Sequence, residues 1–175
     1  MAATALSWCM AAPCWSQPVA KDAHELIPAA RAAGNGRLRF WGMDVYDARL
    51  WVAPGFRQVD FSAHAFALQL NYLRGFSGAA IAQRSLEEMR RMASIAPEQA
   101  AAWQDGLARV LPDVREGDRI TGVNQPGRGP LFLLNGKALG EVGDARFSRL
   151  FFGIWLAPQT SEPALRAALL AGTQP

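Results

Sequence analysis

Cysteine is nearly absent: the chain of 175 residues has two, Cys9 and Cys14, both close to its start. If that first segment is removed, no thiol remains. Disulfides, thiol nucleophiles and cysteine-ligated metal sites are then excluded together, and an exported domain without disulfides has to be held by its core. Histidine is as scarce. His24 and His64 stand far apart, neither with a partner at metal-ligand spacing, so no metal and no cofactor is expected. Lysine is limited to Lys21 and Lys137, and the other 16 of the 18 cationic residues are arginine. Arginine forks suit carboxylate and phosphate, although a coding bias toward arginine gives the same composition. The formal charge is only +3 and no basic run exists, so a nucleic-acid partner is not expected. Ser85, Ser94 and Ser148 lie outside any nucleophile elbow. Gly127-Arg128-Gly129 lacks the strand–glycine loop–helix context of a nucleotide site.

What is present is an ordinary core-forming composition, 50% hydrophobic and 19% charged, of a length that suits one domain. The first twenty residues carry no charge, and Lys21-Asp22 opens a polar stretch. The apolar run 2–12, then Pro13 and a small-residue tail to Ala20, reads as a secretory signal peptide over residues 1–20, with cleavage between Ser16 and Ala20. No Lys or Arg precedes the apolar run. The run is too short and broken to span a bilayer. The expectation is a periplasmic or secreted domain over residues 21–175, with no stable membrane span once the signal is gone.

Along the chain, Gly34-Asn35-Gly36 is read as a turn. Residues 37–52 alternate as one or two strands, with Gly42 as a bulge or bend. Leu38, Phe40, Tyr46, Ala48, Leu50 and Val52 make an apolar face that Asp44 interrupts; the other face carries Arg37, Arg39, Trp41, Met43, Val45, Asp47, Arg49 and Trp51. A strand follows over 63–73, then helices over 79–93 and 97–110, with a possible restart at the capping box Ser85…Glu88. Strands are expected at 119–124, 130–134 and 137–142, the last two joined by the hairpin signal Asn135-Gly136. Phe147, Leu150, Phe151, Ile154 and Trp155 form one helical stripe with Ser148 and Arg149 off it, capped by Asp144 or Gly143 and stopped at Ala157-Pro158. Thr160 and Ser161 are cap candidates for a last helix beginning near Pro163. Strands joined by short turns pair antiparallel, so the fold class is α+β. Asp113, Glu116 and Asp118 beside Arg115 and Arg119 are read as fixing a turn. Arginine beside tryptophan on the 37–52 strand could take the carboxylate of an otherwise apolar ligand, or be a solvated edge whose arginines lie over the indoles.

Several segments together resemble the bacterial chalcone isomerase-like family: Val45 through Trp51, Phe66 through Tyr72, Ser85 through Met89, Leu111 through Val114 with Gly117-Asp118, Phe132 through Gly136, and Phe151 through Leu156. The resemblance runs from about Gly36 to Leu170. It implies the chalcone isomerase fold, a large antiparallel sheet with a layer of helices on one face and a ligand cleft between. Plant members of that family either cyclise chalcones or bind fatty acids without catalysis. Cyclisation needs a phenolate held by arginine, tyrosine, asparagine and threonine. Carried over, the tyrosine falls near Gly78 or Ala79, the asparagine near Ser85 and the threonine at Trp41, none of which can fill the role. Arg37 or Arg39, and Thr160, are the remaining polar stand-ins. The ligand-binding candidates are therefore Arg37, Arg39, Trp41, Tyr46 and Thr160. The function expected is non-catalytic binding of a small amphipathic ligand such as a fatty acid; the alternative is an isomerase or lyase on another small substrate.

Overall fold

The computed structural model describes residues 23–175. The proposed signal peptide, its cleavage region and both cysteines lie outside the described residues. Six strands, β1 (Arg31–Phe40), β2 (Met43–Val52), β3 (Phe66–Tyr72), β4 (Arg119–Asn124), β5 (Leu131–Leu134) and β6 (Lys137–Glu141), form one sheet in the order of the chain. Every neighbouring pair is antiparallel. Helices α1 (Gly78–Met92) and α2 (Pro97–Val110) occupy the long connection from β3 to β4, and α3 (Ala145–Leu156) and α4 (Pro163–Leu170) follow β6. The α+β sheet-and-helix architecture expected from the sequence is the one observed.

The helix layer is welded to the sheet by aromatic rings. In α3, Phe147, Leu150, Phe151 and Trp155 are buried as their spacing requires, with Ile154 at the margin. Phe152 enters from the flank, 4.7 Å from the Phe66 ring, and Phe151 meets Phe132 edge-on at 5.2 Å. Asp144 caps this helix by accepting from the Phe147 N–H at 2.9 Å. Ser148, expected off the buried face, is buried: its hydroxyl donates to Asn124 Oδ1 at 2.6 Å, while Asn124 Nδ2 donates to the carbonyls of His64 and Ser62. A small hydroxyl fits inside because this network satisfies it.

One local expectation is corrected and two alternatives left open are resolved. Gly34-Asn35-Gly36 is not a turn but the middle of β1. Its glycines are needed for close packing, since a Cβ on Gly34 would stand 2.1 Å from the Ala168 carbonyl oxygen of α4. Residues 37–52 are two strands joined at Trp41-Gly42, both with positive φ, 51° and 76°. The bulge lies beyond that turn: register shifts between the Leu38–Tyr46 and Arg39–Asp44 pairs, leaving Val45 as the extra residue. Finally, α1 runs unbroken through Ser85, whose hydroxyl donates back to the Ile81 carbonyl at 2.8 Å. The N-cap is Ser77, which accepts from the Ala80 N–H, and Asp113 accepts from the Gly78 N–H at 2.9 Å. The Asn135-Gly136 turn forms as expected, with φ of 50° and 83°. Asp118 does fix a turn, accepting from the Arg115 N–H and from Asn135 Nδ2, and these bonds hold its carboxyl below the usual carboxylate range.

The sheet face away from the helices is partly covered by the segment before β1. Ile27 packs with Ala67, Val123 and Leu133 in a second, small apolar cluster. The rest of that face is polar.

Candidate functional site

The five candidate residues do not converge. Arg37 and Arg39 lie on the sheet face away from the helices. Arg37 grips Asp47 with two parallel bonds, Nε to Oδ1 at 2.6 Å and Nη2 to Oδ2 at 2.9 Å, and sends Nη1 to Asp44 Oδ2 at 2.7 Å. Arg39 Nε donates to Asp44 Oδ1 at 2.8 Å. The bulge at Val45 makes this possible, because it turns Asp44 from the apolar face, where strict alternation puts it, to the arginine face. The bonds to Asp47 and then Asp44 strengthen the hold of Arg37 on its proton. Those from Arg39 and Arg37 lower the Asp44 carboxyl. Both guanidinium groups therefore already have carboxylate partners from their own chain. Arg37 also borders an open concavity of about 530 Å³ with Asn35, Asp47, Arg49, Gln69 and Asn71. Its lining is amide and charge, which suits a polar ligand and not an acyl chain. Trp41 stands at the hairpin tip, 88% exposed. The carry-over positions Gly78, Ala79 and Ser85 lie on α1, and Trp41 lies on the β1–β2 turn.

Tyr46 lies on the opposite, helix-facing side. It is the cross-strand neighbour of Tyr72, the rings meeting edge-on at 5.8 Å. The Tyr46 hydroxyl accepts from the Trp155 indole N–H at 2.9 Å. Among the described residues nothing accepts from either tyrosine hydroxyl, and the Tyr72 hydroxyl has no side-chain hydrogen bond. Burial pushes the phenol of Tyr46 upward, reinforced by Tyr72, Glu162 and Glu88 and opposed by the Trp155 bond. Burial alone raises Tyr72. Both are therefore neutral O–H donors at physiological pH, set among apolar side chains.

Charge gathers at the rim of this layer. Glu88 of α1 is buried, with Arg84 Nη2 2.6 Å from its Oε1 as an ion pair. Arg91 approaches the second oxygen at 3.6 Å. Glu162 is raised by burial and by Glu88, against the pull of Arg84. Thr160 sits in the same connection, donating to the Ile154 carbonyl and accepting from the Glu162 N–H at 3.1 Å. It ties the end of α3 to the start of α4, and the α4 cap position is Glu162 and not Thr160 or Ser161. Leu38, Phe76, Ile81 and Ile154 are partly buried against the same core. Tyr72, Glu88, Glu162 and Trp155 were missing from the sequence-derived set. Tyr72 was readable as a partner only through the β2–β3 register, and the glutamates only through helix packing. Among the described residues no group of three or more His, Cys, Asp or Glu could hold a metal ion.

Comparison with known proteins bears on this geometry. Residues 33–171 match the family described as chalcone isomerase-like. An uncharacterised protein of Haemophilus influenzae is 26% identical over 141 residues, covering 81% of this chain and 68% of that protein. In three dimensions the chain is similar to a crystal structure of a fatty-acid binding protein from Arabidopsis thaliana, with a TM-score of 0.64 at 12% identity, over 82% of this chain and 87% of that one. At that identity the likeness shows the fold. Sheet order, helix layer and a family match over most of the chain agree: this protein belongs to the chalcone isomerase-like family.

Proposed function

We propose that the protein binds a small amphipathic ligand such as a fatty acid, without catalysis, at the seam between sheet and helices beside Tyr46 and Tyr72. The observation that carries this reading is the tyrosine pair. The two neutral tyrosine rings meet edge-on 5.8 Å apart on the helix-facing side, and neither hydroxyl proton has an acceptor among the described residues. A carboxylate or carbonyl oxygen would accept from both, and hydrogen bonds to a charged acceptor in such surroundings are the strong kind. The apolar body would lie along the aromatic and aliphatic side chains that surround the pair. The fold similarity to a fatty-acid binding protein supports the same reading.

The cyclisation constellation is not assembled: the residues at its expected positions are a glycine or alanine, a self-bonded serine and an exposed tryptophan. In the structure Trp155 closes over Tyr46, so entry requires the indole to swing aside. The test is organic extraction and mass spectrometry of purified protein, followed by titration with a defined long-chain fatty acid while the tryptophan emission of the protein is compared with that of a Trp155→Phe variant. Stoichiometric lipid, and saturable binding weakened by Tyr72→Phe, is the expected result. Absence of both co-purifying lipid and saturable binding would sink the proposal. The expected export to the periplasm or beyond belongs to this same reading and is checked by cell fractionation.

A further inference from the structure

We infer that the β1–β2 hairpin tip docks the protein on a phospholipid surface. The tip exposes three large apolar side chains in sequence proximity: Phe40 at 50%, Trp41 at 88% and Met43 at 48%. The conformation makes this placement doubly costly. Trp41 has φ 51°, a left-handed geometry that a bulky side chain rarely adopts and that Asn or Gly takes readily. The same chain shows the alternative at its other tight hairpin, where Asn135-Gly136 occupies the equivalent positions with φ 50° and 83°. Folding alone would favour the same residue pair at 41–42. A strained, solvent-facing tryptophan in that place points to a function.

The surroundings point to lipid. Arg74 Nη1 donates to the Met43 sulfur at 2.9 Å, and the Arg84 guanidinium lies 5.9 Å from the Phe40 ring centre. Arg39 is the next residue along β1. The carboxylates facing these groups are Asp44, bonded to Arg39, and Glu87 and Glu88, paired with Arg84. Arg74 has no acidic partner among the described residues. The arrangement is an apolar point with a guanidinium collar. Indole rings favour the bilayer interface, and arginines beside them reach phosphate groups. A hairpin end is a projection, so it enters a soft surface; a protein partner would have to supply a groove for it. Three side chains give weak, reversible attachment. Among the described residues no helix is long and apolar enough to cross a membrane, which fits docking and not spanning. This docking stands independently of what occupies the seam at Tyr46.

The experiment compares the full chain with Trp41→Asn by co-sedimentation with vesicles of phosphatidylcholine alone and of phosphatidylcholine with one quarter phosphatidylglycerol. The substituted chain should fold at least as stably, because asparagine suits the positive φ. Its vesicle partition should fall about tenfold or more, the loss expected when one aromatic anchor is removed. The emission difference between the two proteins, which isolates Trp41, should shift to the blue on vesicles and be quenched by brominated acyl chains. Arg74→Gln should reduce partition onto the anionic vesicles toward that on phosphatidylcholine. Equal partition of wild type and Trp41→Asn, or Trp41 emission indifferent to brominated lipid, overturns the proposal. So does conversion of a dimer to a monomer by Trp41→Asn with no change on vesicles, which would make the tip a protein interface.

Discussion

Raising the pH through the range where tyrosine ionises tests the central arrangement directly, because Tyr46 and Tyr72 are the only two tyrosines in the chain. In the unfolded chain both phenols lose their protons near pH ~10. In the folded protein burial pushes both upward. A group whose folded pKa is raised contributes stability that is fully present below its unfolded value and is lost as pH climbs toward the folded one. Above that unfolded value the unfolded state binds up to two fewer protons than the native state. Stability therefore falls with a limiting slope of about 2.7 kcal/mol per pH unit. One unit above the unfolded value the loss amounts to about 3 kcal/mol, a large part of the stability of an ordinary domain. The assay is a spectrophotometric titration of phenolate absorbance with circular dichroism on the same samples. Native protein should show almost no phenolate one unit above the free tyrosine value. Both phenolates should then appear together, in one step that coincides with loss of tertiary signal. A single tyrosine ionising at its ordinary pKa in a chain that keeps its native signal would refute the burial of that hydroxyl, and with it the donor pair on which ligand binding is proposed.

Two substitutions extend the test. Tyr46→Phe removes the acceptor for the Trp155 indole at 2.9 Å and leaves a buried N–H unpaired; a loss of about 1–2 kcal/mol is expected, or roughly 3–6 °C in Tm for a domain of this size. A double-mutant cycle with Trp155→Phe should show coupling of about 1 kcal/mol, and strict additivity would remove the bond from the argument. Gly34→Ala and Gly36→Ala form a contrasting pair on β1. The first drives a Cβ to 2.1 and 2.5 Å from two backbone carbonyl oxygens of α4, whereas the second meets the movable end of Leu165 at 2.8 Å. Urea denaturation should show a cost of about 3 kcal/mol or more for Gly34→Ala and about 1 kcal/mol or less for Gly36→Ala; equal costs would mean that α4 is not seated on β1 as described.

Short-range patterns were legible because they depend on a few neighbouring residues. The aromatic stripe of α3, its cap at Asp144 or Gly143, the Pro97 start of α2 and the Asn135-Gly136 turn all follow from local periodicity and backbone chemistry, and the structure settles the cap on Asp144. Consecutive strands with short turns were enough to set the α+β class and the antiparallel sheet. Reading failed where a residue served a distant partner. Gly34 looks like a turn residue until α4 lies against it. Ser148 looks solvent-facing until Asn124 arrives from β4.

The candidate site divides along the same line. Composition and alternation put arginines beside aromatics on residues 37–52, and that much the chain states by itself. Register decided the rest. One extra residue at Val45 swings Asp44 across the sheet to Arg37 and Arg39, so the arginines pair with carboxylates of their own chain on one face. On the other face, the alignment of β2 with β3 places Tyr46 against Tyr72, and the helix layer brings the Trp155 indole to the Tyr46 hydroxyl. A strand shows its two faces in its sequence, but which residues meet across strands and layers is a property of pairing and packing. That is why the sequence alone determined the sheet and its helices, and only the tertiary structure separated the arginine face from the tyrosine pair.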